Sequence, residues 1–140
     1  MKKNTERDSS GALLRVLVVE ADRSVLRMLR FSLQVAGFEI TEARTGAEAL
    51  TLLSQRLQEA VILDLGLPDG RSGAALTQLR QLDRSSDHPP AWVVTSALDQ
   101  EEATRQFGPL YRRFIPKPYD PWALISSLES QLAHRHKLPS

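Results

Sequence analysis

Four residues whose side chains can do chemistry stand where short apolar runs end. Glu20 follows VLVV (Val16 to Val19), Asp64 follows AVIL (Ala60 to Leu63), Thr95 follows WVV (Trp92 to Val94), and Lys117 stands between Pro116 and Pro118 after Phe114 and Ile115. Brought together, two carboxylates repel unless a cation neutralises them. Hard oxygen ligands in a small cleft suit Mg2+, which takes one or two carboxylates plus waters. A carboxylate can itself be a nucleophile, forming an aspartyl phosphate when a metal and a cation screen the incoming phosphoryl oxygens. Lysine supplies that point charge and threonine a hydroxyl donor. These residue types together therefore suit phosphoryl transfer. One Asp at a strand end is more often only the start of a turn, so the elements that position all four carry the argument.

Arg15 to Val19 and Ala60 to Leu63 are unbroken apolar runs of strand length, as expected of strands buried on both faces. Phe38 to Ala43 alternates apolar and polar, which fits a strand with one wet face at a sheet edge. Trp92 to Val94 predicts a fourth strand, and Phe114 with Ile115 a short fifth. Helices fall between them. Asp22 or Ser24 can cap the first, whose face is Val25, Leu26, Leu29, Leu33 and Ala36 and which Gly37 stops. Thr45 caps a second with Leu50, Leu53 and Leu57 on one face, and a third spans about Ser72 to Gln81 with Ala75, Leu76, Leu79 and Leu82. The fourth, Gln100 to Phe107, has few apolar positions and should pack weakly, while Leu124, Ile125, Leu128 and Leu132 stripe the fifth. Strands alternating with helices imply right-handed crossovers and a parallel sheet covered on both faces. The edge position of the second strand favours a flavodoxin-like (βα)5 fold, doubly wound, with strand order 2-1-3-4-5. In that order the first and third strands are neighbours, so Glu20 and Asp64 converge, with Asp22 beside them.

Composition narrows the function classes. The 140-residue chain suits one domain, and its formal net charge of +1 predicts no bulk attraction to nucleic acid. The absence of cysteine excludes disulfides, thiolate metal sites and cysteine nucleophiles. No signal peptide or membrane span is legible, which points to the cytoplasm. Residues 1–13 are polar and read as a disordered leader, 14–133 as the domain, and 134–140, with His134 and His136, as a solvated tail. No output domain is recognisable after the last helix. The chain therefore reads either as a free-standing unit or as one portion of a longer protein.

The motifs VLVVEAD, VILDLGLP with Gly73 beyond it, VVTSA and FIPKP make the chain resemble the receiver domains of two-component response regulators, from about Leu14 to Leu132. The resemblance implies a phosphoacceptor switch rather than a conventional enzyme. Asp64 would take a phosphoryl group from a histidine kinase or phosphotransfer protein, with Mg2+ held by Glu20, Asp64 and the Gly66 carbonyl. Thr95 would bond a phosphoryl oxygen and Lys117 would pair with the phosphate. It also implies a switch in which Thr95 moves and the ring of Phe114 rotates into the space opened. That motion would remodel a face made by the fourth helix, fifth strand and fifth helix, which would serve a downstream protein or a homodimer.

Two features depart from the family pattern. A second acidic residue usually follows the first at the end of strand one, where this chain has Ala21. Asp22 can replace it as a ligand or cap the first helix, and capping is the favoured reading, so Mg2+ binding should be weakened rather than lost. The segment GPLYRRF sets Gly108 six residues before Phe114, leaves Tyr111 as an alternative aromatic, and offers Arg112 and Arg113 as solvated charges or contacts to an acidic partner. Two other readings compete with the switch. One is a pseudo-receiver, a constitutive protein-binding module. The other, a flavin-binding protein, is disfavoured by acidic strand ends and the lack of a phosphate loop after strand one.

Overall fold

A computed structural model describes residues 13–137, with the side chains of residues 135–137 outside the description. The leader and tail expected at 1–13 and 134–140 fall largely outside it. Within it, Leu13 forms a bridge and the last helix continues to Lys137. Five strands, β1 (Arg15–Val19), β2 (Glu39–Ala43), β3 (Ala60–Asp64), β4 (Ala91–Ser96) and β5 (Phe114–Pro116), alternate with helices α1 (Arg23–Ala36), α2 (Gly46–Gln55), α3 (Ser72–Ser85), α4 (Gln100–Phe107) and α5 (Pro121–Lys137). A 3-10 turn over Tyr111–Arg113 leads into β5. The sheet is parallel, in the order β2-β1-β3-β4-β5. This is the flavodoxin-like architecture that the strand pattern implies. Among the described residues no helix is long and apolar enough to cross a membrane.

The period of two along the strands splits the core into two layers. Val16, Val18, Ala60, Ile62, Ala91 and Val93 face α1 and α5, where Leu26, Leu29, Leu33, Leu124, Ile125 and Leu128 close over them. Leu17, Val19, Val61, Leu63, Trp92 and Val94 face the other way, towards Ala49, Ala75, Leu76, Leu79, Ala103 and Phe114. Asp22 caps α1 by accepting from the amides of Ser24 and Val25, and Gly37, at φ 99°, ends it in the left-handed conformation that glycine tolerates.

Several expected details shift. α2 buries Gly46 and Ala49 and packs Leu52 and Leu53, while Leu57 lies beyond the helix end and is exposed. The chain becomes extended at Arg56, which removes Leu57 from the helical face on which it was expected with Leu50 and Leu53. α3 runs four residues beyond Gln81, to Ser85, carrying Asp83 towards Trp92 and Arg113. Arg113 is no solvated charge: it pairs with Asp83 at 2.6 Å and stacks over the Trp92 ring at 4.0 Å. Tyr111 points to solvent with φ 54°, so it does not take the place of Phe114 in the core.

Candidate functional site

The same alternation that builds the core positions the site. Glu20, Asp64 and Thr95 continue the parity of Val18, Ile62 and Val93, and therefore emerge on the α1/α5 side of the sheet at the C-terminal strand ends. Asp64 and Thr95 are register partners on β3 and β4. Glu20, Asp64 and Thr95 are all buried. From the opposite edge, Lys117 follows β5, its amide donating to the Ser96 carbonyl at 2.8 Å, and is joined to Pro118 by a cis peptide.

Lys117 Nζ lies 3.1 Å from Glu20 Oε1 and 3.1 Å from Asp64 Oδ2. Main-chain amides hold the remaining oxygens: Asp22 N donates to Glu20 Oε2 at 3.1 Å, and Gly66 N to Asp64 Oδ1 at 3.0 Å. Ser72 Oγ donates to the Asp64 carbonyl at 2.9 Å and accepts from the Leu67 amide, fixing the turn after β3. One ammonium thus faces two buried carboxylates, a combination short of positive charge. Glu20 shows the effect. Burial pushes its carboxyl above the usual range and the Asp64 charge adds to this, against the Asp22 amide and Lys117, which pull it down. Burial lowers the Lys117 ammonium, but its bonds to Glu20 and Asp64 outweigh that and hold it above its ordinary value.

Thr95 Oγ1 is buried with no hydrogen-bond partner. A hydroxyl in that condition costs about 1–3 kcal/mol until an acceptor arrives, and a phosphoryl oxygen on the neighbouring Asp64 would be one. The oxygen donors also suit a divalent cation: two adjacent carboxylates are hard ligands of the kind that Mg2+ takes, with water completing the shell. No cluster of three acidic or histidine side chains occurs among the described residues, because Ala21 carries no carboxylate and Asp22 is turned to its cap. The structure therefore brings Glu20, Asp64 and Lys117 into contact, sets Thr95 beside Asp64, and leaves the Asp22 carboxylate at the start of α1. Phe114 is on the other side of the sheet, already buried, so the inward rotation expected of its ring has no outer starting position here.

Four participants escaped the sequence reading. Tyr119 packs against the α1/α5 core with an unpartnered buried hydroxyl, and its ionisation is pushed up by burial and by the charges of Glu20 and Asp64. Asp69 accepts from the amides of Gly46, Ala47 and Arg71, fastening the turn after Asp64 to the start of α2. Ser72 is the third. The fourth is Arg44, whose Nη2 donates to the Ala21 carbonyl at 2.8 Å across the β1–α1 turn. The unusual density of turn residues around Asp69 was a usable signal; nothing local marks the other three.

The response regulator receiver domain family model matches residues 16–129, which spans every element from β1 to most of α5. The chain belongs to that family. The receiver is 32% identical over 121 residues to the response regulator MprA of Mycobacterium sp. (strain KMS), covering 85% of this chain and 50% of that protein. It is 31% identical over 123 residues to the transcriptional regulatory protein PrrA of Mycobacterium tuberculosis, covering 86% and 51%. It thus spans about half the length of the curated relatives it matches. Among solved structures, a sensor protein from Polaromonas sp. JS666 superposes with a TM-score of 0.71 at 30% identity, covering 87% of this chain and 98% of that one. A CheY-like receiver domain protein from Methanospirillum hungatei gives 0.73 at 21% identity, covering 90% and 98%, and supports the fold alone.

Proposed function

We propose that this receiver is a phosphorylatable switch in a two-component pathway, with Asp64 as phosphoacceptor. The observation that carries the reading is the Lys117 ammonium bridging two buried carboxylates 3.1 Å away, with an unpartnered Thr95 hydroxyl beside Asp64. An Asp64 oxygen attacks the phosphorus of a phosphohistidine on a histidine kinase or phosphotransfer protein. The P–N bond breaks and the imidazole leaves, taking up a proton. Lys117 then exchanges its Asp64 contact for a phosphoryl oxygen, and Thr95 donates to another. Glu20, Asp64 and the Gly66 carbonyl would hold Mg2+, which when bound screens charge on the phosphoryl oxygens. With one carboxylate fewer than usual, that binding is weak.

The signal leaves through Thr95 and the face of α4, β5 and α5, towards a downstream protein or a second copy in a cytoplasmic setting. A pseudo-receiver is the second reading, favoured by Ala21 alone. Intact-mass spectrometry after acetyl phosphate treatment separates the two. One phosphoryl adduct that needs both Mg2+ and Asp64, and is absent from Asp64→Asn and from chelator-treated protein, is expected of the switch. An unmodified mass under every condition, with no Mg2+ binding by titration, would leave the constitutive binding module.

A further inference from the structure

Beside the acidic site lies a cleft of opposite character. Between α1 and the end of β2, Arg23, Arg27, Arg30 and Arg44 surround a cavity of about 260 Å3 floored by Leu26, with Glu42 its sole carboxylate. Arg30 is neutralised by Glu42 through a forked pair at 2.7 and 2.9 Å, and Arg44 spends one nitrogen on the Ala21 carbonyl. Arg23 and Arg27 have no carboxylate partner among the described residues. Glu48 accepts from the Arg44 main-chain amide and is not part of the lining, and the Asp22 carboxylate is occupied by the α1 cap. The cleft therefore carries three formal positive charges in excess, in a chain whose net charge is only +1.

This arrangement works against the helix that carries it. Arg23 sits at the first position of α1, where the helix dipole disfavours a cation, and no acidic residue stands in that first turn. Arg23 and Arg27 are four apart, so their like charges face each other on one surface. Exposed guanidinium forks that converge on a shared cavity are what phosphates and carboxylates dock into. We infer that the α1–β2 cleft is a binding site for a small polyanion, of the diphosphate or tricarboxylate class, separate from the Asp64 site. The volume is below the roughly 300–1,000 Å3 of pockets that enclose drug-sized ligands, which fits a compact anion rather than a whole nucleotide.

The test is a titration of 15N-labelled protein with inorganic pyrophosphate, in metal-free buffer at constant ionic strength, followed by amide shifts. Saturable shifts at residues 23–30 and 42–44 are expected. Arg27→Ala and Arg44→Ala should each weaken binding about tenfold, the loss of a charge-assisted hydrogen bond. Asp64→Asn and the surface control Arg112→Ala should leave it unchanged. A parallel titration with citrate assigns the phosphate or the carboxylate class by whichever anion binds more tightly. Shifts that fail to saturate, that sodium chloride reproduces, that persist in both arginine variants, or that centre on Asp64 and Lys117 would overturn the inference. All the substituted arginines are exposed, and Arg27 makes no hydrogen bond or ion pair among the described residues, so its variant reads the lost charge without the Ala21 contact that Arg44→Ala also removes.

Discussion

The helices α1 and α5 on one side of the sheet and α4 on the other are held by different forces. On one, α1 buries Leu26, Leu29, Leu33 and Ala36 and α5 buries Leu124, Ile125, Leu128 and Leu132, so two long helices share one apolar layer. On the other, α3 buries Ala75, Leu76 and Leu79, but α4 buries a single residue, Ala103, with Phe107 half-covered. What fastens α4 is polar: Arg80 of α3 donates to the carbonyls of Phe107 and Pro109, both at 2.7 Å, where α4 ends and the next turn begins. The Asp64 site emerges on the side covered by α1 and α5, and Phe114 lies on the side to which α4 contributes little apolar surface. The difference suggests a division of labour. Under the proposed function, a phosphoryl site needs fixed geometry, which close packing supplies, whereas a responding surface needs an element whose displacement costs little.

Four measurements sharpen or break that contrast. The largest effect belongs to Leu29→Ala, which opens a cavity in the α1/α5 layer and should lower unfolding free energy by about 2–5 kcal/mol in urea denaturation. A cost no larger than that of Phe107→Ala would break the comparison. Next, hydrogen exchange should show α4 amides opening well below the global unfolding free energy while central α1 amides exchange only with global unfolding; equal protection would contradict the weak packing of α4. Arg80→Ala comes third. It removes two charge-assisted bonds, one partly buried and one exposed, and should speed α4 exchange by about tenfold, with global stability lowered by about 1 kcal/mol.

The smallest effect concerns acid. The hydrogen bonds from Val25 and Ser24 hold the Asp22 carboxyl below its ordinary value of 3.8. A depressed folded-state value contributes stability that is present above 3.8 and is lost as pH falls through the lower folded value. Asp22→Asn keeps the cap acceptor without the titration. The stability advantage of wild type over this variant should therefore be constant near neutrality and shrink below pH 3.8, as followed by circular dichroism. An advantage that persists undiminished in strong acid would mean that the α1 cap does not depend on this charge.

Where the sequence was legible, local pattern and global requirement coincided. Strands buried on both faces must be apolar throughout, so VLVV and AVIL were readable as strands, and the polar residue ending each was readable as a candidate for the strand-end cluster, before any contact was known. The stripes of α1 and α5 were readable because Asp22 and Gly37 bound the first, and because one leucine-rich face survives any small error in the ends of the second. α2 misled because its leucines at 50, 52, 53 and 57 support more than one stripe. Only where the helix ends, at Gln55, decides that Leu57 is left outside.

The amino-acid sequence by itself determined the order of elements, the parity of each strand and the four residues at the strand ends, because these follow from periods of two and 3.6 along the chain. Tertiary structure alone decided that Arg113 would stack on Trp92, that Arg44 would reach Ala21, that Thr95 would be left without a partner, and that three arginines of α1 and Arg44, just after β2, would meet around one cleft. Each joins segments whose separation is set by how helices pack on the sheet, and no local period encodes that distance.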